Sequence, residues 1–394
     1  MTRHRTVRAA AALALLTGAA LTGGTDTARA TGAQCAFPAE PIAERPWALQ
    51  RVRLDQLWEI STGAGVAVAV IDSGVDTRNP QLAGAVAADR GTDLTDDEGD
   101  QTTDRVGHGT RVAGIIAARA SDDTGFVGLA PDATVIPIRA SDADGEGDVA
   151  TLAAAVRHAV RADADVINIS QDTDRRLAED SDLRRAVDEA LAADVVVIAS
   201  AGNDGADGEP GETFPAAYRG VLAVAASDRN NERAPFSQSG DFVGIAAPGV
   251  DMVSTVPLGG QCVDNGTSFA APYVAGVAAL LRAAEPDWTA ENVVAHLQQT
   301  AERAIPGPDA HLGWGVVDPV RALTERPTVP PTEPVPDEAP PAAPAPDVPD
   351  LVLGETHAER AERLGTYAVL TAAVLTAVIA GVALVRRDLR RRRA

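Results

Sequence analysis

The sequence predicts an α/β fold of three layers, with a mostly parallel central sheet and helices on both faces, plus one C-terminal transmembrane helix. Three observations predict it. Unbroken apolar runs at Val66–Ile71, Thr134–Ile138, Val166–Ile169, Val195–Ala199 and Val221–Ala225 read as strands buried on both faces of a parallel sheet. Segments of helical pattern, including Val149–Arg161 and Asp182–Ala193, alternate with them as in βαβ units joined by right-handed crossovers. Tyr367–Val385 then runs 19 residues without a charge, close to the roughly 20 that span a bilayer.

Length and charge set the outer limits. The 394 residues suit one large domain with appendages, and every one of the 34 basic Lys+Arg residues is Arg. Net charge is −22, and because residues 1–30 and 386–394 hold ten of the 34 basic residues, the body is more acidic than the whole. Such a body argues against nucleic-acid binding and suits an extracytoplasmic domain.

At the N-terminus, Arg3, Arg5 and Arg8 precede the apolar Ala9–Leu21, and Ala28-Arg29-Ala30 has the small-x-small form of a cleavage site. Residues 1–30 read as a secretory signal peptide, with an uncleaved anchor as the alternative. Arg386, Arg387 and Arg390–Arg393 follow the apolar run near the other end. The positive-inside rule then keeps residues 386–394 in the cytoplasm and the body outside, in a single-pass protein of the cell membrane. Cys35 and Cys262 are the only cysteines. In an exported chain this even count favours a disulfide, and two buried free thiols are the alternative.

Residues 31–63 form an N-terminal extension whose Trp47, Leu49, Leu54, Leu57, Trp58 and Ile60 are suited to pack on the main domain, residues 64–325. The first strand run ends in Asp72-Ser73-Gly74, and an acid at the C-terminal end of a parallel strand stands where open α/β sheets place their chemistry. An acidic loop over 89–104 leads into Gly107-His108-Gly109-Thr110, the only histidine framed by glycines, ahead of a helix of small residues. Asp142 to Asp148 carries acids at alternate positions but lacks the rest of a twelve-residue calcium loop. Gly266-Thr267-Ser268-Phe269-Ala270-Ala271-Pro272 opens another helix. There Ser268 fits either an N-cap or a nucleophile placed where the helix dipole favours developing negative charge. Thr289 is a candidate N-cap for the helix after it.

Asp72, His108 and Ser268 occur in the order Asp, His, Ser, the order of subtilisin. Together with Ala201-Gly202-Asn203, these motifs make the chain resemble the subtilisin-like serine proteases over roughly Gly63 to Leu323. The resemblance implies a subtilisin-like fold and a serine endopeptidase that acts through an acyl-enzyme. In it His108 takes the proton of Ser268, Asp72 orients and stabilises the imidazole, and Asn203 with the Ser268 N–H forms the oxyanion hole. A structural Asn-Asp-Gly turn is the alternative for Asn203. Gly145, Glu146 and Gly147 match the family's substrate-pairing edge, and Ser170 lies on the opposite wall of the cleft. There Gln171-Asp172-Thr173-Asp174 replaces the family's usual Leu-Gly-Gly-like stretch, and Asp204 favours a basic or polar P1 residue. No cofactor and no metal site are expected, although many members of the family carry calcium.

Residues 326–353 are a proline-rich linker, holding ten of the 26 prolines between 327 and 350. A juxtamembrane segment, 354–366, precedes the span at 367–385. This layout, with Arg45-Pro46-Trp47-Ala48 before the domain and Gly315-Val316-Val317-Asp318-Pro319 closing it, resembles the mycosins, membrane-anchored proteases of type VII secretion. The resemblance implies protein or peptide substrates exported by that pathway, and the secretion membrane complex as a partner. Three roles follow: an active processing endopeptidase, a stabiliser of the secretion complex, or a general cell-surface protease.

Overall fold

The computed structural model describes residues 35–142, 145, 147–178, 180–337 and 354–392. The expected signal peptide at 1–30, Glu146, and the linker from 338 to 353 lie outside the described residues.

Seven strands form the sheet: β1 (Ala67–Asp72), β2 (Thr92–Asp93), β3 (Thr134–Arg139), β4 (Val166–Ile169), β5 (Val196–Ser200), β6 (Leu222–Ser227) and β7 (Val243–Pro248). Their order is β2-β3-β1-β4-β5-β6-β7, and every neighbouring pair is parallel. The alternation of side chains explains why the strand runs contain almost no polar residue. Val68 and Val70 of β1, with Val196 and Ile198 of β5, belong to one core. Ala67, Ala69 and Ile71, with Val197 and Ala199, belong to the core on the other face.

The second of these cores is roofed by α4 (Val149–Arg161) and α5 (Asp182–Ala192), capped by Asp148 and Ser181 through their side chains. On the first lie α3 (His108–Ala117), α6 (Thr267–Ala284) and α7 (Ala290–Gln299). Thr289 caps α7 in a capping box with Asn292. Helix α6 is long and apolar enough to cross a membrane, yet 83% of its apolar window is buried inside the domain. It is the central helix of the core. A short helix, α8 (Pro319–Thr324), follows Asp318, which caps it.

The N-terminal extension packs on this first face. Helices α1 (Trp47–Gln50) and α2 (Leu54–Ile60) bury Leu49, Leu54 and Leu57, and the Trp47 and Trp58 indoles donate to the carbonyls of Val250 and Leu129, both at 2.9 Å. Cys35 is bonded to Cys262, with Cα atoms 6.1 Å apart. That bridge joins the extension to the antiparallel hairpin of β8 (Met252–Thr255) and β9 (Gln261–Asp264), which had no counterpart in the strand pattern of the sequence.

The stretch after Arg326 is tied back to the domain. Asn292 Nδ2 donates to the Pro331 carbonyl, and the Val335 and Asp337 N–H groups donate to Gln299 Oε1 and the Pro306 carbonyl. Residues 339–394 form a separate unit. Its described part contains α9 (His357–Arg391), a helix long and apolar enough to cross a membrane, whose N-terminus carries a Thr356–Glu359 capping box.

Candidate active site

Strand β1 lies between β3 and β4, where successive crossovers turn to opposite sides of the sheet. Asp72 ends that strand, at the kind of switch point where α/β sheets leave a crevice. Asp72 is 2% exposed and its Oδ1 accepts the Ser73 N–H at 2.8 Å.

His108 is the first residue of α3. Two glycines bring it to Asp72. Gly107, with φ +77°, turns the chain into the helix, and a Cβ on Gly109 would stand 2.1 Å from the Gly74 carbonyl oxygen. His108 Nδ1 then lies 2.8 and 3.0 Å from the two Asp72 oxygens, and Nε2 lies 3.0 Å from Ser268 Oγ. An ionised carboxylate only accepts, so the Nδ1 side carries the proton and Nε2 is left to accept from the serine hydroxyl. Burial works against the imidazolium. The charge and hydrogen bond of Asp72 outweigh it and raise the His108 pKa above 6.5.

Ser268 is the second residue of α6, and the N-cap is Gly266. The N-cap alternative therefore fails for the serine, whose hydroxyl is directed to His108 instead. As a first-turn N–H, the Ser268 amide has no intrahelical acceptor. Asn203 lies in the loop after β5, with Oδ1 accepting from the Thr267 N–H at 2.9 Å and from Thr267 Oγ1 at 3.0 Å. Because a backbone N–H only donates, this fixes the amide so that Nδ2 faces away from Thr267, and it has no acceptor among the described residues.

Ser170 Oγ donates to the Ser268 carbonyl at 3.3 Å and receives Asn168 Nδ2 at 2.9 Å. A cleft of about 720 Å³ runs past these groups, lined among others by Asp72, His108, Gly145, Gly147, Ser170 and Asp172. Gly145 and Gly147 thus lie on the cleft, while Asp204 is exposed beside Asn203.

Two site residues were not singled out from the sequence. Asp104, 4% exposed, accepts from the Gly107 N–H, the Thr110 N–H, Thr110 Oγ1 and Ser73 Oγ at 2.6 to 2.9 Å. It ties the turn before His108 to the residue after Asp72, and burial raises its pKa. The only hint in the sequence was an acid three residues before a Gly-His-Gly. Phe37 of the N-terminal extension is the other: its ring fills the space against Gly107 that a Cβ would occupy.

Comparison with known proteins gives this geometry a lineage. The profile of the Subtilase family matches residues 63–315. Thermitase of Thermoactinomyces vulgaris is 35% identical over 287 residues, covering 73% of this chain and 99% of its own. Mycosin-1 of Mycolicibacterium smegmatis is 35% identical over 341 residues, covering 73% and 74%. Among solved structures, the MycP3 protease from the type VII (ESX-3) secretion system aligns with a TM-score of 0.64 at 36% identity, over 74% of this chain and 91% of that one. A parallel seven-stranded sheet and a family match over most of the chain lead to one conclusion: this chain belongs to the subtilase family of serine endopeptidases and is similar to the mycosins.

Proposed function

We propose that Asp72, His108 and Ser268 are the catalytic triad of an outward-facing, membrane-anchored endopeptidase that processes proteins exported by a type VII secretion system. The observation that carries the chemistry is the unbroken hydrogen-bonded chain from Asp72 through His108 to Ser268 Oγ.

As the Ser268 oxygen adds to the scissile carbonyl carbon, its proton passes to His108 Nε2. Asp72 holds the ring and favours the imidazolium that forms. The carbonyl oxygen, now negative, receives Asn203 Nδ2–H and the Ser268 N–H, donors already held in place by the Thr267 contacts and the first turn of α6. The C–N bond then breaks, His108 gives its proton to the leaving amine, and the acyl group stays on Ser268. Water, deprotonated by His108, releases the acid product. These steps use side chains and backbone only, so we assign no cofactor or metal to them. Gly145, Gly147 and Ser170, which line the cleft, are assigned to the extended substrate, together with Glu146, which the sequence sets between the two glycines.

Placement at a membrane rests on α9, whose last turns carry Arg386, Arg387, Arg390 and Arg391; the positive-inside rule supports a cytoplasmic position for that end. The secretion partner is carried over from the similarity to mycosins and from the printed description of MycP3. Labelling with a serine-directed phosphonate tests the site: the full chain should react and Ser268→Ala should not. Complementing a deletion strain with Ser268→Ala tests the role. Loss of processing with loss of normal secretion supports a processing enzyme, whereas full secretion without processing would favour a stabiliser of the complex.

A further inference from the structure

The wall of the cleft that departs from the family's usual Leu-Gly-Gly-like stretch carries a carboxylate into the space beside the nucleophile. Ser170, whose hydroxyl touches the Ser268 carbonyl, is followed two residues later by Asp172. Across the cleft the loop after β5 runs Gly202-Asn203-Asp204. Gly202 has no side chain, and a Cβ there would lie 3.1 Å from Asp172 Oδ2. Asp172 therefore reaches from one wall to the other, next to the residue that presents the oxyanion donor.

An acyl carbon held between Ser268 Oγ and Asn203 Nδ2 must send its own side chain, that of the P1 residue, into this gap between the Ser170 and Gly202 segments. We infer that Asp172, seconded by Asp204, selects substrates with a basic P1 residue, arginine or lysine. This inference rests on the triad reading above and names its substrate class.

The charges around the gap agree. Neither Asp172 nor Asp204 forms an ion pair or a side-chain hydrogen bond among the described residues, so no internal cation answers them. Burial, with Asp204 and Asp174 as neighbouring negative charges, pushes the Asp172 carboxyl up to about 6. A carboxylate in this state is one that an incoming guanidinium or ammonium would relieve. Asp72, His108, Asp148 and Arg175 are the other charged or titratable groups that line the cleft. Arg175 forms no ion pair with Asp172. Gln171, beside Asp172 on the cleft, supplies an uncharged amide.

The test uses the full chain in detergent-solubilised membranes and a fluorogenic peptide series that differs only at P1: arginine, citrulline and alanine. Citrulline has nearly the shape of arginine and no charge. At pH 8, kcat/KM for arginine should exceed that for citrulline by about ten- to a hundredfold, the range expected of a charge-assisted pair in a partly desolvated site. Asp172→Asn should shrink that ratio by at least about tenfold, and Asp172→Asn with Asp204→Asn should bring it near one. The citrulline peptide serves in each variant as the reporter of fold and chemistry. In the wild type the ratio should also fall as pH drops through about 6, where Asp172 protonates. Cleavage with an arginine-to-citrulline ratio near one, a ratio unmoved by Asp172→Asn, or alanine preferred over arginine would overturn the inference and leave the triad reading standing. No cleavage of any peptide, together with no phosphonate labelling of Ser268, would overturn the triad reading and this inference with it.

Discussion

His108 is held by opposing forces, and they give activity and stability opposite dependences on pH. The Asp72 carboxylate raises the imidazole pKa against the effect of burial. A general base must be neutral, so kcat/KM should rise with pH along a limb centred above 6.5. The same raised pKa contributes stability that is fully present below 6.5 and is lost as pH climbs through the folded value. Asp72→Asn should move the activity limb to lower pH and sharply reduce the maximal rate. A pH–rate profile that keeps its midpoint in this variant would contradict the coupling. Asn203→Ala removes one of the two proposed oxyanion donors and should lower kcat by about 10²–10³ with little change in KM. Single-turnover kinetics separate that from a binding defect. The hydrogen-bonded chain of Asp72, His108 and Ser268 was legible in the sequence because each of the three sits in its own short Gly-containing motif. Asp104 was not legible, because its meaning lies in four donors from three residues, Gly107 and Thr110 at the start of α3 and Ser73, which only the fold brings to it. An Asn at 104 would turn an NH₂ toward one of two donor pairs, so Asp104→Asn should destabilise the protein by about 1–3 kcal/mol, measurable by urea unfolding.

At the scale of elements, the sequence pattern found the strands that are uniformly branched and apolar and missed those that are not. Apart from Asp72, Asn168 and Ser200, strands β1, β4 and β5 are Val, Ile and Ala, and their two faces both meet helices. Strand β7, Val243–Pro248, is interrupted by Gly244 and ends in proline, and β8 and β9 have Ser254, Thr255, Gln261 and Asp264 where a buried run would be apolar. Their pairing is set by tertiary contact: Ser254 and Thr255 hydroxyls donate to the carbonyls of Arg111 and Thr110 in α3, the helix that begins with His108. The hairpin is also the anchor of the N-terminal extension, through Cys262. Cys35→Ser with Cys262→Ser should therefore cost about 2–5 kcal/mol. It should also loosen Phe37 from Gly107, lowering kcat/KM more than a change of stability at constant fold would. If the double variant melts at the wild-type temperature, the extension is held by its helices and by the hydrogen bonds of Ala39, Glu40 and Ile42 without help from the bridge.

On the scale of the whole chain, the question is where the folded enzyme ends and the tether begins. Composition suggested a linker from 326, because proline density rises there and no apolar periodicity continues. Hydrogen bonds tell a different boundary. Asn292, Gln299 and Pro306 hold Pro331, Val335 and Asp337, and Arg303 pairs with Asp337 at 3.2 Å. Val329 and Val335 are largely exposed, so little hydrophobic burial adds to these polar contacts. At roughly 0.5–1.5 kcal/mol for each hydrogen bond, the segment is worth about 2–4 kcal/mol. For a domain of this size that corresponds to a melting shift of about 3–6 °C. A soluble chain ending after Asp337 should accordingly keep the melting temperature and peptide turnover of the domain in the full chain, and one ending after Arg326 should melt lower by that margin. Proline-rich sequence then acts first as a strap across α7 and the loop after it, and as a spacer only beyond Asp337. Equal melting temperatures for the two truncations would return the boundary to 326.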